Sequence, residues 1–136
     1  MHSADRPLAG SCACGAVSFE VTAPFVTAGY CHCKRCQRRS GALWSINAMV
    51  PAEGFRIVGG EEHVRTWKPG DGIPKAFCAE CGGHLYSDGG DHIGVRLGAV
   101  DGDPGIRPEW HQWLESAPDW APVPDDGLPR YDRLRP

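Results

Sequence analysis

Short stretches of alternating apolar and polar side chains run through the first hundred residues of the chain. In the segment 15–21, Val17, Phe19 and Val21 occupy every second position, which is typical of a strand with one buried face. Turns rich in Gly, Pro or Asp separate further short strand candidates at 43–50, 55–58, 63–67, 75–78, 84–87 and 92–97. The pattern therefore predicts a mainly β fold of short antiparallel strands.

Helical signals are few. The stretch 34–40 predicts about one helical turn that ends at Gly41, and 109–115, preceded by Pro108, predicts a second short helix. Prolines between 118 and 136 stop any other regular element. The chain beyond Gly98 also carries three tryptophans, Trp110, Trp113 and Trp120. We expect an extended arm that lays its tryptophans on the core, in preference to an aromatic binding platform.

The length of 136 residues, with no internal repeat, favours one domain. We expect a flexible N-terminal tail over 1–9, a single domain over 10–130 that includes the Pro/Trp-rich arm, and a C-terminal tail over 131–136. Hydrophobic residues make up only 41% of the chain, while 18 glycines and 12 prolines make up more than a fifth. A bound metal would supply cohesion that such a composition lacks.

Charge and targeting signals exclude several classes of function. The formal charge is −3 and the pI is about 6.0, so we expect neither nucleic acid nor an anionic membrane as a partner. No apolar run approaches the ~18 residues of a membrane span, and the first residues lack the pattern of a secretory signal. We therefore expect a cytoplasmic protein, and in that reducing compartment disulfides rarely persist. Metal binding is the leading explanation for seven cysteines there.

The cysteines form three clusters: Cys12-x-Cys14, Cys31-x-Cys33-x-x-Cys36 and Cys78-x-x-Cys81. A glycine follows Cys14 and another follows Cys81, which lets the backbone curl so that its N–H groups point at the sulfurs. Each such turn offers two ligands, and a structural zinc takes four. We therefore predict a four-cysteine group, which contains Cys12, Cys14, Cys78 and Cys81.

The remaining three-cysteine group (Cys31, Cys33 and Cys36) has the ligand number of a catalytic zinc, whose open position takes water or substrate. Four cations flank it, Lys34, Arg35, Arg38 and Arg39. Three thiolates on Zn²⁺ leave a charge of −1, so nearby cations would offset that charge and attract an anionic ligand. The alternative is that these cations form an ordinary solvated face.

Other interpretations of these residues are open at this point. Two disulfides with leftover cysteines, or an iron–sulfur cluster, are alternatives to zinc. His32 lies between two ligand candidates, so in an extended turn it points away from the metal and serves as a hydrogen-bonding residue. His84 is spaced so that it can replace a cysteine on a metal. The remaining histidines have no recognisable spacing and are interpreted as ordinary polar residues: His63, His92 and His111.

Three segments together resemble a known family: GSCACGAV at 10–17, CHCKRCQRRSGA at 31–42 and FCAECGGHL at 77–85. The chain resembles the glutathione-dependent formaldehyde-activating enzyme family, which also includes centromere protein V. Weaker support comes from LGAVD at 97–101 and GLPR at 127–130, so the similarity runs from about residue 10 to about residue 130.

The resemblance implies a β-tent fold with two zinc ions. The four-cysteine group matches the ligands of the structural zinc, and the three-cysteine group matches those of the catalytic zinc. The activity that names the family is formation of S-hydroxymethylglutathione from formaldehyde and glutathione, which is classed as a carbon–sulfur lyase reaction. The implied partners are therefore a glutathione-like thiol and a small aldehyde.

Three hypotheses follow for function. In the first, a zinc enzyme binds the thiol at Cys31, Cys33 and Cys36, while Arg38, Arg39 or His32 holds its carboxylates or assists proton transfer. In the second, a non-catalytic binding module uses zinc for shape and its basic turn for an anionic partner. In the third, the same chemistry acts on a different thiol or aldehyde. A histidine such as His84 or His111 that closed the fourth metal position would favour the binding module.

Overall fold

The computed structural model describes residues 1–136, which form ten short strands and one α-helix. The elements are β1 (Leu8–Ser11), β2 (Ser18–Val21), β3 (Thr27–Cys31), α1 (Lys34–Ser40), β4 (Ser45–Pro51), β5 (Phe55–Gly59), β6 (Val64–Trp67), β7 (Lys75–Cys78), β8 (His84–Asp88), β9 (His92–Arg96) and β10 (His111–Gln112). They build a three-stranded sheet in the order β1-β2-β5 and a seven-stranded sheet in the order β10-β3-β4-β9-β8-β7-β6. The predicted mainly β fold is confirmed.

The hydrophobic core lies between the two sheets. In β2 the alternation predicted from sequence places Phe19 and Val21 in the core, where both are fully buried. The ring of Phe55 in β5 lies 5.3 Å from that of Phe19 and 4.8 Å from that of Tyr86, centroid to centroid. Because Tyr86 belongs to the larger sheet, this aromatic contact connects the two layers.

The seven-stranded sheet turns one face to this core. The antiparallel pairing of β4 with β9 sets Ala48 opposite Val95 and Val50 opposite Ile93, and all four side chains are buried. Side chains alternate between faces along a strand, so their neighbours point to the opposite side of the sheet. That second face carries polar residues, and α1 packs against β4. The one α-helix, α1, has seven residues, which is too short for a membrane-spanning helix.

Two residues of the expected N-terminal tail belong to a strand. Leu8 and Ala9, which the sequence assigned to the flexible tail, belong to β1 and pair with β2. Close packing explains the glycine at position 10, since a Cβ there would lie only 2.3 Å from the ring of Phe19. His2 is also buried, and its Nε2 donates a hydrogen bond to the carbonyl of Ala23 at 2.7 Å.

The C-terminal arm differs from the prediction in one element. Instead of the short helix expected over 109–115, the segment forms β10, which pairs in parallel with β3, and then a 3₁₀ turn over Leu114–Ser116. The sequence predicted neither β3 nor β10. Trp110 is buried, and it packs where a Cβ on Gly29 would lie 2.2 Å from its ring. Trp120, by contrast, is 78% exposed. The arm therefore lies on the core as expected at Trp110, but not at Trp120.

Candidate metal centres

The four-cysteine group is brought together at one edge of the molecule. Its four sulfurs all lie within 4.8 Å of one another. The Sγ atom of Cys14 lies 3.7 Å from that of Cys12 and 4.0 Å from that of Cys78. Tetrahedral zinc with Zn–S bonds of ~2.3 Å would space its sulfurs ~3.8 Å apart. The donor set and its spacing therefore fit a structural zinc.

Two turns of the same design hold these four sulfurs. The N–H of Cys12 donates to the carbonyl of Val17 at 3.1 Å, and the N–H of Cys78 donates to the carbonyl of Gly83 at 2.9 Å. Each turn passes through a left-handed glycine, at φ +79° for Gly15 and +76° for its counterpart after Cys81. Glycine adopts this conformation without steric cost, so the chain can reverse directly after its second cysteine.

The backbone of both turns also points N–H groups at the sulfurs, as the glycine positions predict. Val17 N–H donates to Cys12 Sγ at 3.2 Å, and Gly83 N–H donates to Cys81 Sγ at 3.4 Å. The backbone N–H groups of Cys14 and Gly83 lower the pKa of the Cys81 thiol to about 6. These amides stabilise the thiolate, which is the form that binds a metal.

The three-cysteine group lies where β3 meets α1. Cys31 ends the strand, and Cys33 caps the helix, since its Sγ accepts a hydrogen bond from the N–H of Cys36 at 3.3 Å. The helix ends at Gly41, at φ +72°, as predicted from sequence. The sulfurs of Cys33 and Cys36 are 3.2 Å apart, and all three sulfurs lie within 4.8 Å of one another.

The electrostatics of this group suit a divalent cation. Hydrogen bonds from the thiols of Cys31 and Cys36 lower the pKa of Cys33 to about 2. Hydrogen bonding to Cys33 and Cys36, together with burial, raises the pKa of Cys31. The three thiols are thus strongly coupled, and a cation bound between them would favour the thiolate form of each. Three closely spaced thiol donors therefore fit a zinc ion with one position left for another ligand.

A hydroxyl group that sequence reasoning missed also contacts this group. Ser45 Oγ donates to Cys36 Sγ at 3.2 Å, and Asn47 Nδ2 donates to Ser45 Oγ at 3.0 Å. Ser45 faces Cys31 across the pairing of β3 with β4. No local motif marks a serine nine residues after a cysteine, so only the register of the two strands reveals this contact.

The flanking cations meet different environments. Arg35 pairs with Asp71, Arg38 is exposed, and Arg39 is half-buried. All three line a cavity of about 610 Å³ beside α1, with the aromatic rings of Trp67 and Phe77 on its wall. Three of the four flanking cations therefore border this basic cavity.

A second cavity, of about 480 Å³, connects the surroundings of the two cysteine groups. Its lining includes Cys12 from the first group, Ser45 beside the second group, and Arg96. His84 lines both cavities, and its Nε2 donates to the carbonyl of Arg39 at 3.0 Å. The His84 ring is thus engaged with the backbone of α1.

His32 belongs to the loop that carries the three cysteines, between Cys31 and Cys33. It is 1% exposed and lines neither cavity, and its Nε2 is 2.9 Å from Nδ1 of His111. Burial, followed by the neighbouring charge of His111, lowers the pKa of His32 to about 4. His111 in turn contacts Asp126 at 2.8 Å and stacks on Tyr30. His111, interpreted from sequence as an ordinary polar residue, is therefore a buried link between loop and arm.

Neither histidine that the sequence raised as a fourth ligand joins the metal-binding groups. The two groups of closely spaced donor atoms contain cysteines alone. The three-cysteine group thus offers three protein donors, with Arg38, Arg39 and the basic cavity nearby.

Comparisons with known proteins place the chain in a sequence family. The sequence model of a family described as glutathione-dependent formaldehyde-activating enzyme matches residues 7–116. A Halomonas elongata protein, provisionally named as a member of that family, is 31% identical over 127 residues that cover 85% of this chain and 80% of the relative. A Sordaria macrospora protein with the same provisional name is 36% identical over 56 residues, 41% of this chain. That match spans only 24% of the Sordaria protein.

A solved structure has the same fold. The crystal structure of a Rhodobacter sphaeroides protein, determined as a structural genomics target, superposes with a TM-score of 0.61 at 25% sequence identity. The superposition covers 90% of this chain and 98% of that protein. The similarity thus extends over both sheets.

Proposed function

The chain belongs to the glutathione-dependent formaldehyde-activating enzyme family, and on this premise we propose that it is a zinc-dependent carbon–sulfur lyase. It joins a thiol such as glutathione to formaldehyde or another small aldehyde. One observation carries the proposal: three cysteine sulfurs lie within 4.8 Å of one another with no fourth side-chain donor, and the arginines that flank them in the chain line a cavity.

The two cysteine groups have different tasks in this proposal. The four-cysteine group holds a structural zinc, and the three-cysteine group (Cys31, Cys33 and Cys36) holds a catalytic one. A zinc ion held by these three cysteines would supply an electrophilic centre that favours the nucleophilic thiolate form of a substrate thiol. Ser45 orients Cys36 through the hydrogen bond to its sulfur, which is the usual role of groups behind metal ligands.

The reaction itself needs little chemistry from the protein. The thiol releases its proton to solvent, and its sulfur attacks the carbonyl carbon of the aldehyde. A carbon–sulfur bond forms as the π electron pair of the carbonyl moves to oxygen, and that oxygen takes a proton from solvent to give the S-hydroxymethyl product. The contribution of the chain is to bind and orient the two reactants.

The basic cavity supplies the binding groups. Arg38 and Arg39 project into it and hold the carboxylates of the thiol, since guanidinium groups bind carboxylates in a bidentate manner. A volume of about 610 Å³ lies within the range of small-molecule sites. His32 does not line the cavity; its hydrogen bond to His111 supports the loop that carries Cys31 and Cys33.

The free state of the cysteines fits a reducing compartment. All seven are free thiols, a state that the cytoplasm maintains. We therefore place the activity in the cytoplasm.

The test is a rate measurement over a panel of thiols and aldehydes. We expect zinc-loaded protein to form the glutathione–formaldehyde adduct faster than free glutathione does, and Cys36→Ser to abolish the enhancement while the four-cysteine zinc is retained. The control is a Ser3→Ala variant, because Ser3 lies in the N-terminal segment, far in sequence from the three cysteines. Full zinc content with no enhancement for any pair would overturn the enzyme and favour the binding module. Enhancement confined to another pair would identify a related enzyme with a different substrate.

A further inference from the structure

A row of polar residues crosses the seven-stranded sheet on the face opposite the hydrophobic core. Strand register sets Cys31 opposite Ser45, Asn47 opposite Arg96, Gly94 opposite Ser87, and Ser87 opposite Lys75. Residues opposite each other, or two apart in a strand, share a face. The polar row therefore contains Cys31, Ser45, Asn47, Arg96, Ser87 and Lys75. Apart from Ser45, which is half-buried, every member is buried.

Hydrogen bonds link the polar row to the three-cysteine group, but no side-chain hydrogen bond joins Asn47 to Arg96 in the middle of the row. On one side Asn47 donates to Ser45, which donates to Cys36. On the other side Arg96 donates to Ser87 Oγ at 2.8 Å and to the carbonyl of Gly94. The Nε of Arg96 and the Oδ1 of Asn47, on neighbouring strands, have no partner. Buried polar atoms without a protein partner are rare, and each one indicates a bound water, an ion or a functional contact.

The two cations of the row have no carboxylate partner. Arg96 is 8% exposed and Lys75 is 9% exposed. The ion pairs of the molecule all involve other residues. Lys75 donates only to the carbonyl of Ile73, at 2.9 Å. A buried cation without a negative partner is strongly unfavourable, so some other negative charge must face this pair.

The sulfurs of the three-cysteine group, which lies at the end of the same row, supply that charge when they are deprotonated. Burial lowers the pKa of Arg96 to about 10, so the guanidinium remains charged at pH 7, and the charge of Cys36 opposes this shift. Burial, then the charges of Arg96 and Arg39, lowers the pKa of Lys75, and Cys36 again acts in the opposite direction. In its thiolate form Cys36 therefore attracts both buried cations.

We propose that Arg96 and Lys75 balance the charge of the metal site in the three-cysteine group, and that they make this site prefer an anionic fourth ligand over a neutral one. Three thiolates on a divalent ion carry a charge of −1, and an anionic ligand raises it to −2, which is the charge that two buried cations offset. The inference rests on the proposed metal site but not on the thiol–aldehyde reaction. Both cations act on the ligand through charge, as specificity-determining residues.

The experiment compares an anionic probe with a neutral probe on cobalt-loaded protein. Azide and imidazole are titrated into wild type, Arg96→Gln and Lys75→Gln, and binding is followed through the visible absorption of Co²⁺. The four-cysteine site contributes a constant background because its four protein ligands leave no free position. We expect each substitution to weaken azide binding about tenfold, as loss of one partly buried charge implies, and to change imidazole binding less than twofold.

Two further variants separate charge from structure. Arg96→Lys keeps the charge and should restore azide binding, while Arg56→Gln removes an exposed cation from the small sheet and should change neither probe. Equal losses for azide and imidazole, no loss for either, or absence of cobalt from the three-cysteine group would overturn the inference. If Arg96→Gln does not fold, Lys75→Gln decides alone. A preference for azide without any thiol–aldehyde rate enhancement would contradict the proposed function and still support this inference.

Discussion

At the scale of single residues, neighbouring side chains contact the sulfurs of the three-cysteine group. Ser45 is the clearest case, because its hydroxyl donates to Cys36 Sγ and is itself held by Asn47. The chain Asn47–Ser45–Cys36 fixes the direction of each hydrogen bond, since the amide donates to the hydroxyl and leaves the hydroxyl proton for the sulfur. Such a bond stabilises negative charge on sulfur.

We therefore expect Ser45→Ala to weaken zinc binding at the three-cysteine group by about tenfold, the lower end of the usual effect of supporting residues on metal affinity. Competition with a chromophoric chelator measures this. The matched control is Ser40→Ala, because Ser40 donates to the backbone carbonyl of Cys36 and not to its sulfur. Unchanged affinity in Ser45→Ala, or an equal loss in both variants, would contradict a role for the hydrogen bond to sulfur.

At the scale of elements, the C-terminal arm holds the cysteine loop from behind. β10 pairs with β3, and the N–H of His32 donates to the carbonyl of Gln112 at 3.0 Å. Gln37 in α1 donates to the carbonyls of His32 and Ser116 at 2.8 and 2.9 Å. The loop that carries the three cysteines is thus fastened on both sides, which keeps its sulfurs close together.

The contact between Asp126 and His111 makes this fastening sensitive to acid. The hydrogen bond from His111 lowers the pKa of Asp126 below its ordinary value of 3.8. A carboxyl with a depressed folded-state pKa stabilises the protein above its unfolded pKa, and that stabilisation is lost as the pH falls through the folded pKa. We expect Asp126→Asn to lower the Tm at pH 6 and to have a smaller effect near pH 3.

Thermal unfolding of wild type and variant between pH 2.5 and pH 7 measures this difference. Asp119→Asn, an exposed acid of the same arm, serves as the control and should behave as wild type at every pH. A gap between Asp126→Asn and wild type that stays constant down to pH 2.5 would show that the contact is not electrostatic.

At the scale of the whole molecule, the four-cysteine group connects the two sheets. Cys12 and Cys14 lie in the turn between β1 and β2 of the small sheet, and Cys78 and Cys81 lie at the turn between β7 and β8 of the large sheet. A metal here would close a loop of more than sixty residues, and cross-links that close long loops remove the most chain entropy from the unfolded state. The three-cysteine group, by contrast, spans only the local connection from β3 to α1.

Cysteine substitutions in the two groups should therefore differ in their effect on stability. We expect Cys36→Ser to lose about one zinc with mild destabilisation. Cys81→Ser should cost several kcal/mol or prevent folding, since binding of a structural zinc contributes directly to folding free energy. Metal analysis combined with urea unfolding tests both variants. Similar losses of stability in the two would contradict the division of labour between the groups.

The sequence alone was sufficient where the signal is local. The spacing of the cysteines and the glycines after Cys14 and Cys81 predicted which sulfurs the structure brings together, and Gly41 predicted the end of α1. In each case the physical cause lies within a few residues, as a turn that needs a left-handed glycine. The alternation in β2 was equally local, and it placed Phe19 and Val21 in the core correctly.

Only the tertiary structure decided the features that depend on pairing between distant segments. The segment after Pro108 has a weak local preference for a helix, but pairing with β3 outweighs that preference and makes β10. The polar row exists because strand register aligns Ser45, Asn47 and Arg96, and register is set by contacts between residues far apart in the chain. The grouping of the cysteines could therefore be predicted from the sequence. The charged groups and hydroxyls that surround them could not, because they depend on how distant strands pair.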